Sequence, residues 1–272
     1  MNDNKTSKNS IVAKFAVPIS FLILFFLAAN FTDCDLVTFW KRRNHLTDLV
    51  VDMIPPDFSY IQKILLPLFY TIQMSVTGTV LGTFFALVLS PFGAANLGFP
   101  AVIRRILRIV IQILRSFPAL ILALTATFLF GLGTFAGTFA ITLYTFAIMT
   151  KLTYEDASAA DVKAYQALRA MGVSKYVAYI HGILPEIIPG FLTNALYLLE
   201  TNVRHSSILG YVGAGGIGLL LNEKISWLEY DKVGTILLML FLTVCVIEYF
   251  SRYLAALIRC LLYTSDGCRR RG

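Results

Sequence analysis

The sequence predicts an all-α, polytopic membrane protein with about six transmembrane helices, and three observations lead there. Of its 272 residues, 57% are hydrophobic and only 14% are charged, against about a quarter charged in ordinary soluble domains, and the mean hydropathy is +0.71. Apolar runs of the roughly 20 residues that a spanning helix needs recur along the chain. Basic residues gather in alternate loops between those runs, as membrane topology imposes on lysine and arginine.

The first run is "IVAKFAVPISFLILFFLAAN", residues 11–30; its length and lack of a small-residue cleavage motif predict a retained helix rather than a cleaved leader. Residues 31–62 are polar, and Pro55-Pro56 within "DMIPPDFSYIQK" should stop any helix. A second span is predicted over 64–91, closed by "SPFGAANLGFP". A third follows Arg104, Arg105 and Arg108 and reaches about Gly131; a fourth covers about 134–150. Beyond a polar segment, 151–186, come a fifth span at about 187–205 and a sixth at about 233–258. Three units follow: an N-terminal span with its loop (1–63), a transmembrane domain (64–258) and a tail (259–272) expected to be disordered.

Lysine and arginine orient the spans. Lys5 and Lys8, then Arg104, Arg105 and Arg108, then Lys151, Lys163, Arg169 and Lys175, and finally Arg259 and Arg269 to Arg271 fall on one side. The positive-inside rule makes that side cytoplasmic, with both termini there. The opposite loop carries Asp33, Asp35, Asp48, Asp52 and Asp57 against Lys41, Arg42 and Arg43. The formal charge of +7 is therefore a matter of topology, since no basic stripe with interleaved aromatics suggests nucleic acid. Cys34, Cys245, Cys260 and Cys268 form no CxxC and no ligand spacing with histidine, which argues against a metal site.

The segment "YQALRAMGVSKYVAYIHGILPEI", 165–187, is too polar for lipid. It reads as two short helices broken near Gly172 and ended by Leu184-Pro185. Tyr165, Leu168 and Met171 share one helical face, which suits an amphipathic helix laid into a partner's groove; an ordinary cytoplasmic loop is the plainer reading.

These residues carry a family resemblance. "QALRAMG" followed by "ILP" resembles the EAA loop of ABC importer permeases, with Gln166 in place of the glutamate, Leu168 in place of the second alanine and Gly182 in place of an isoleucine. Gly172, Leu184 and Pro185 keep register, with Ala167 and Ala170 on the same short helix. "RSFPALILAL" (115–124), "GLGTFAG" (131–137), "LETNVRHSSILGYVGAGGIG" (199–218) and "MIPPDFSYIQKILLPLFYTIQMS" (53–75) extend the likeness to roughly residues 50–255, and together resemble the phosphonate/phosphite permease subunit. The resemblance implies a multi-pass protein of the inner or plasma membrane that carries phosphonate, phosphite or a related oxyanion inward by alternating access. It implies a homodimer, a pair of cytoplasmic ATPase subunits holding ATP and Mg, and an external phosphonate-binding protein, with no cofactor on this chain. Gln166, Ala167, Ala170, Gly172, Leu184 and Pro185 would then form the coupling segment that docks on the ATPase.

Charges inside spans are costly and therefore informative. Arg115 lies about 10 Å beyond Arg108 at 1.5 Å per residue, and Pro118 follows within one turn, where it could kink the helix. Arg115 either lines a pathway for an anion or snorkels toward headgroups or pairs internally. Glu200 and Arg204 share a face at i,i+4; an internal ion pair and an anion-facing Arg204, with Asn202 donating beside it, are both open. Lys151 and Glu155 read as interfacial anchors of span four. "GYVGAGGIG" holds five glycines in nine positions, too many for a helix throughout. It predicts a close backbone approach or a re-entrant turn shielded by protein, and the resemblance places Gly213, Gly215, Gly216 and Gly218 at an external gate.

The sequence has no G-x-x-x-x-G-K-[ST], HExxH or GxSxG, so it predicts a transport subunit with no catalytic residues rather than an enzyme. Rival readings are a permease for phosphate, methionine or another solute on the same scaffold, and a membrane assembly protein without a pathway.

Overall fold

The structure is a computed structural model that describes residues 16, 18–29, 31 and 36–269, with side chains of the long stretch placed from residue 40 to 258. The chain divides into two units, Met1–Ile54 and Pro55–Gly272. The first holds the apolar helix α1, Pro18–Ala29, and α2, Leu36–Asp52. The predicted first span, 11–30, lies partly outside the described residues, and the polar stretch after it is not all loop: α2 fills much of it.

The second unit is a helical bundle. A 3₁₀ turn, Phe58–Tyr60, is opened by Asp57, whose carboxylate accepts from the Ser59 backbone N–H at 3.0 Å and the Ser59 hydroxyl at 2.6 Å. Those two hydrogen bonds, led by the hydroxyl, hold the Asp57 carboxyl below its usual range. Helix α3, Ile61–Gly93, follows, then α4, Ala101–Ser116, α5, Ala119–Phe130, and α6, Thr134–Ala159. Two short helices, α7 (Lys163–Ala170) and α8 (Lys175–Gly182), precede α9, Leu184–Leu209. After a 3₁₀ turn at Gly210–Val212 come α10, Ile217–Ser226, and α11, Tyr230–Arg269. The last helix thus enters the stretch expected to be a disordered tail.

Three helices are long and apolar enough to cross a membrane alone: Phe58–Gly93, Thr134–Ala159 and Tyr230–Ile258. Two bent pairs, α4 with α5 and α8 with α9, pass the same test together, giving up to five spans in the described residues. Proline chemistry explains both bends. Phe117 is extended (ψ 127°), because a residue before proline is pushed out of the α region, and Pro118 itself (ψ 148°) stands as the non-helical cap of α5. The predicted third span is therefore two helices at 94° rather than one kinked helix. At the second bend, 69°, Pro185 sits in the first turn of α9. It starts that helix, where a missing N–H costs nothing, instead of ending the one before.

The bundle core is the pairing of α3 with α6. Gly78 and Gly82 sit one turn apart on α3, and a Cβ there would lie 2.7 Å from Ile141 Cγ2 and 2.7 Å from Thr145 Cβ respectively. Small residues at this spacing let two backbones approach within lipid, where packing rather than water exclusion drives association. Helix α9 locks onto the pair through Asn202, which is fully buried. Its amide donates to Thr79 Oγ1 on α3 and Thr145 Oγ1 on α6, both at 2.8 Å, while the Ser75 hydroxyl donates to its backbone oxygen at 3.3 Å.

Candidate functional site

The α7–α8 elbow is built on tyrosines. Tyr165 is 5% exposed and donates to the Leu97 carbonyl at 2.7 Å; it packs in a core with Ala178, Tyr179 and Ile183, and Leu168 leans against the same cluster. The apolar face read from Tyr165, Leu168 and Met171 is thus turned inward onto this chain's own bundle, and of the three only Met171 faces out, 70% exposed. The outward surface is Gln166, Ala167, Ala170, Met171 and Gly172, with Pro185 exposed and Leu184 half-buried at the start of α9. Helical spacing identified the face for Tyr165 and Leu168 but not for Met171, which lies past the end of α7, and did not show what the face would touch. Gly172 has φ +86° with open space around its Cα, the left-handed geometry that turns a chain out of a helix and that glycine adopts without strain. Asp161 opens the elbow: its carboxylate accepts from the Lys163 N–H at 3.0 Å, which lowers its affinity for a proton.

The glycine-rich segment is both a turn and a close approach. Gly213, Gly215 and Gly216 have φ of 80°, 80° and 73°. Gly218 meets the end of α9, where a Cβ would fall 1.9 Å from the Ser207 carbonyl oxygen. The turn is pinned to the rest of the bundle: Gly133 N–H donates to Gly213 O at 2.9 Å, and Ile217 N–H, opening α10, donates to Thr71 Oγ1 at 2.8 Å. In the last turn of α10, Lys224 lies between Glu223 and Glu229, 3.0 Å from each. Its hydrogen bonds to Glu229 and then Glu223 push its pKa up, and those from Lys232 and then Lys224 pull that of Glu229 down.

Among the span charges, Arg204 pairs with Glu200 on α9, the internal pair foreseen for that spacing. Asn202 is corrected: it points into the helix junction, both amide hydrogens committed to threonines, and cannot reach an anion beside Arg204. Pro118 caps the start of α5 at the bend. Arg115, in the last turn of α4, lines a groove of about 330 Å³ between α4 and α6 with Arg108, Gln112, Lys151, Tyr154 and Glu155, floored by Ile111.

Sequence reasoning missed Arg108 and Gln112 as members of this groove. Their spacing from Arg115, seven and three residues, was the available signal, since it places all three along one face of α4. Lys151 and Glu155, read as anchors, form an ion pair at 3.3 Å on the opposite wall. Arg108 is held in place: its Nε donates to the Gly93 carbonyl at 3.0 Å, and its guanidinium lies 5.0 Å from the centre of the Tyr154 ring.

Comparison with known proteins places this arrangement. Residues 78–259 match the model of the binding-protein-dependent transport system inner membrane component family. A phosphite transport system permease protein of Stutzerimonas stutzeri is 31% identical over 217 residues, covering 80% of this chain and 79% of that protein. A second, putative phosphite transport system permease protein of the same organism is 32% identical, covering 78% and 76%. A phosphate-import permease protein of Mycolicibacterium smegmatis is 31% identical over 74% of this chain and 38% of its own length. In fold, the chain is similar to the inward-facing MetNI methionine ABC transporter, with TM-score 0.65 at 20% identity, over 74% of this chain and 99% of that one. The helices, the elbow between the fourth and fifth spans and these relatives agree: the chain belongs to the binding-protein-dependent transport system inner membrane components, multi-pass transport subunits of the inner membrane.

Proposed function

We propose that this chain is the membrane-spanning permease subunit of an ATP-driven importer that carries a phosphorus oxyanion, phosphonate or phosphite, into the cytoplasm by alternating access. The observation that carries this reading is the α7–α8 elbow, exposed at Met171 and Gly172 and anchored from beneath by buried Tyr165 and Tyr179. Such an elbow transmits force because its outer face is free while its inner face is part of the bundle. The oxyanion preference draws on the two phosphite permease relatives; the phosphate-import relative makes phosphate the second reading.

In this reading two copies of the chain form the pore, and a pair of ATPase subunits holding ATP and Mg docks on Gln166, Ala167, Ala170 and Gly172, with Leu184 and Pro185 setting the departure of α9. The elbow and the chain termini lie in the cytoplasm, on the basic side. An external binding protein delivers the solute to the face where Gly213, Gly215, Gly216 and Gly218 close the route, and Arg115 and Arg204 place positive charge along it. Arg204 contributes less, because Glu200 neutralises it.

The test is ATP-dependent uptake of labelled 2-aminoethylphosphonate by vesicles carrying this chain with its ATPase and binding protein, with phosphite, phosphate and methionine as competitors. Uptake displaced by phosphite and not by methionine is expected. Uptake of methionine alone would remove the oxyanion reading and leave the fold. Gly172→Leu should leave ATP hydrolysis running while uptake falls; unchanged uptake would take the coupling role away from the elbow.

A further inference from the structure

The groove between α4 and α6 holds an arginine left over after its own ion pair is made. Arg204 and Arg252 are each paired with a glutamate four residues away on their own helix, and within the groove Lys151 is paired with Glu155 in the same way. Among the described residues Arg115 has no carboxylate within ion-pair reach, and Arg108 makes no protein hydrogen bond through its two terminal nitrogens. Arg115 sits exposed in the last turn of the amphipathic α4, along the groove wall, so its five N–H donors are open to an arriving acceptor.

What completes it can be read from the walls. Arg108, Arg115 and Lys151 supply three positive charges against the single negative charge of Glu155, so the groove carries a net excess of two. Gln112 adds a neutral amide between the two arginines on the same face of α4. The volume, about 330 Å³, is about ten times the roughly 30 Å³ share of one liquid water. That is room for a small tetrahedral anion with a partial water shell. Guanidinium groups suit this ligand, because their planar forks present paired N–H donors to two oxygens at once. Arg108 is also pre-set, fixed by the Gly93 carbonyl and the Tyr154 ring, so little side-chain freedom is lost when an anion arrives.

We infer that Arg108, Gln112 and Arg115 on α4, facing Lys151 on α6, form a binding site for a phosphorus oxyanion. The same chemistry has two sources, the transported oxyanion and the phosphate of an anionic lipid, and the first rests on the function proposed above.

The experiment uses the full chain in lipid nanodiscs. In discs of phosphatidylcholine alone, methylphosphonate is titrated and followed by ³¹P NMR. In discs containing phosphatidylglycerol, native mass spectrometry counts the lipid retained. Saturable methylphosphonate binding, weakened about tenfold or more by Arg115→Gln, partly restored in Arg115→Lys and unchanged in Arg252→Gln, assigns the site to the solute. Phosphatidylglycerol retained by the wild type and lost in Arg115→Gln, without methylphosphonate saturation, assigns it to lipid. No binding of either probe to the wild type, or binding that Arg115→Gln leaves unchanged, overturns the site. Uptake by the assembled transporter separates the two ideas: a wild type that imports no phosphorus oxyanion ends the transport reading while the nanodisc arms still decide the site. An Arg115→Gln transporter that imports at the wild-type rate and binds as well as wild type ends the site alone.

Discussion

Helix α6 carries two polar clusters six residues apart, and they are opposites. At Thr145 it joins the Asn202 junction, where the amide hydrogens are matched to threonine oxygens at 2.8 Å and the region is sealed from solvent. At Lys151, Tyr154 and Glu155 it forms one wall of a groove whose arginines retain donors with no protein partner. Both put polar atoms in an apolar bundle, at a cost that only hydrogen bonding offsets. In the first the protein supplies an acceptor for each amide hydrogen, so the cluster fixes helix positions even though the Asn202 Oδ1 is left without a partner. In the second, Glu155 answers Lys151, and the donors of Arg115 are left over for something that arrives. Polarity inside a bundle therefore does not by itself signal function; an excess of unmatched charged donors facing open space is the stronger sign.

Breaking the junction should have the largest effect. Gly82→Leu places a side chain where a Cβ already lies 2.7 Å from Thr145 Cβ. It should cost about 3 kcal/mol and abolish the monodisperse peak in size-exclusion chromatography; a normal peak would mean α3 and α6 do not approach this closely. Asn202→Ala removes both hydrogen bonds without crowding and should cost about 1–3 kcal/mol, read as a lower thermal midpoint in detergent. Its uptake per folded transporter should stay close to wild type, and a selective loss of uptake would mean the junction does more than hold helices.

The groove should answer in reverse. Arg115→Gln should leave the thermal midpoint within about 0.5 kcal/mol of wild type, because the side chain is exposed and unpaired, while uptake falls about tenfold. A destabilised Arg115→Gln protein would move the arginine into the structural class with Asn202. The smallest change is expected from Glu200→Gln combined with Arg204→Gln, which removes a pair whose charges already cancel. Uptake should change by less than about fivefold, and a larger loss would make Arg204 a partner of the anion in its own right.

How far the sequence revealed this molecule depended on whether a feature is local. The apolar runs located α3, α6, α9 and α11 to within a few residues at most ends, because length and hydropathy are properties of a single segment. Pro118 announced a disturbance, but the size of the bend depends on where α4 and α5 pack, so a kink was read where the helix breaks. The face shared by Tyr165 and Leu168 was legible from spacing alone. That it meets Leu97 and Tyr179 was not, since those partners lie at distances along the chain that periodicity does not report. Asn202 misled for the same reason: two residues from Arg204 in sequence, it points into a different environment about 200° around the helix. Arg108 was assigned wholly to topology, though its register with Gln112 and Arg115 already placed it in the groove.

The short connection after α3 ties the groove to the elbow. Residues 93–98 receive hydrogen bonds from four directions: Arg108 holds Gly93, Arg104 holds Ala95, Tyr165 holds Leu97 and Lys175 holds Gly98. Two of these donors belong to the helix that walls the groove and two to the elbow. A shift of the elbow and a shift of the groove are therefore motions of one strap, and thermodynamic reciprocity follows for any ligand that prefers one setting. If ATPase docking tightens the groove's hold on an oxyanion by some factor, the oxyanion must tighten docking by that same factor. Titrating each in the presence of the other would measure it, and unequal factors would show that the strap joins the two places in space without joining their energies.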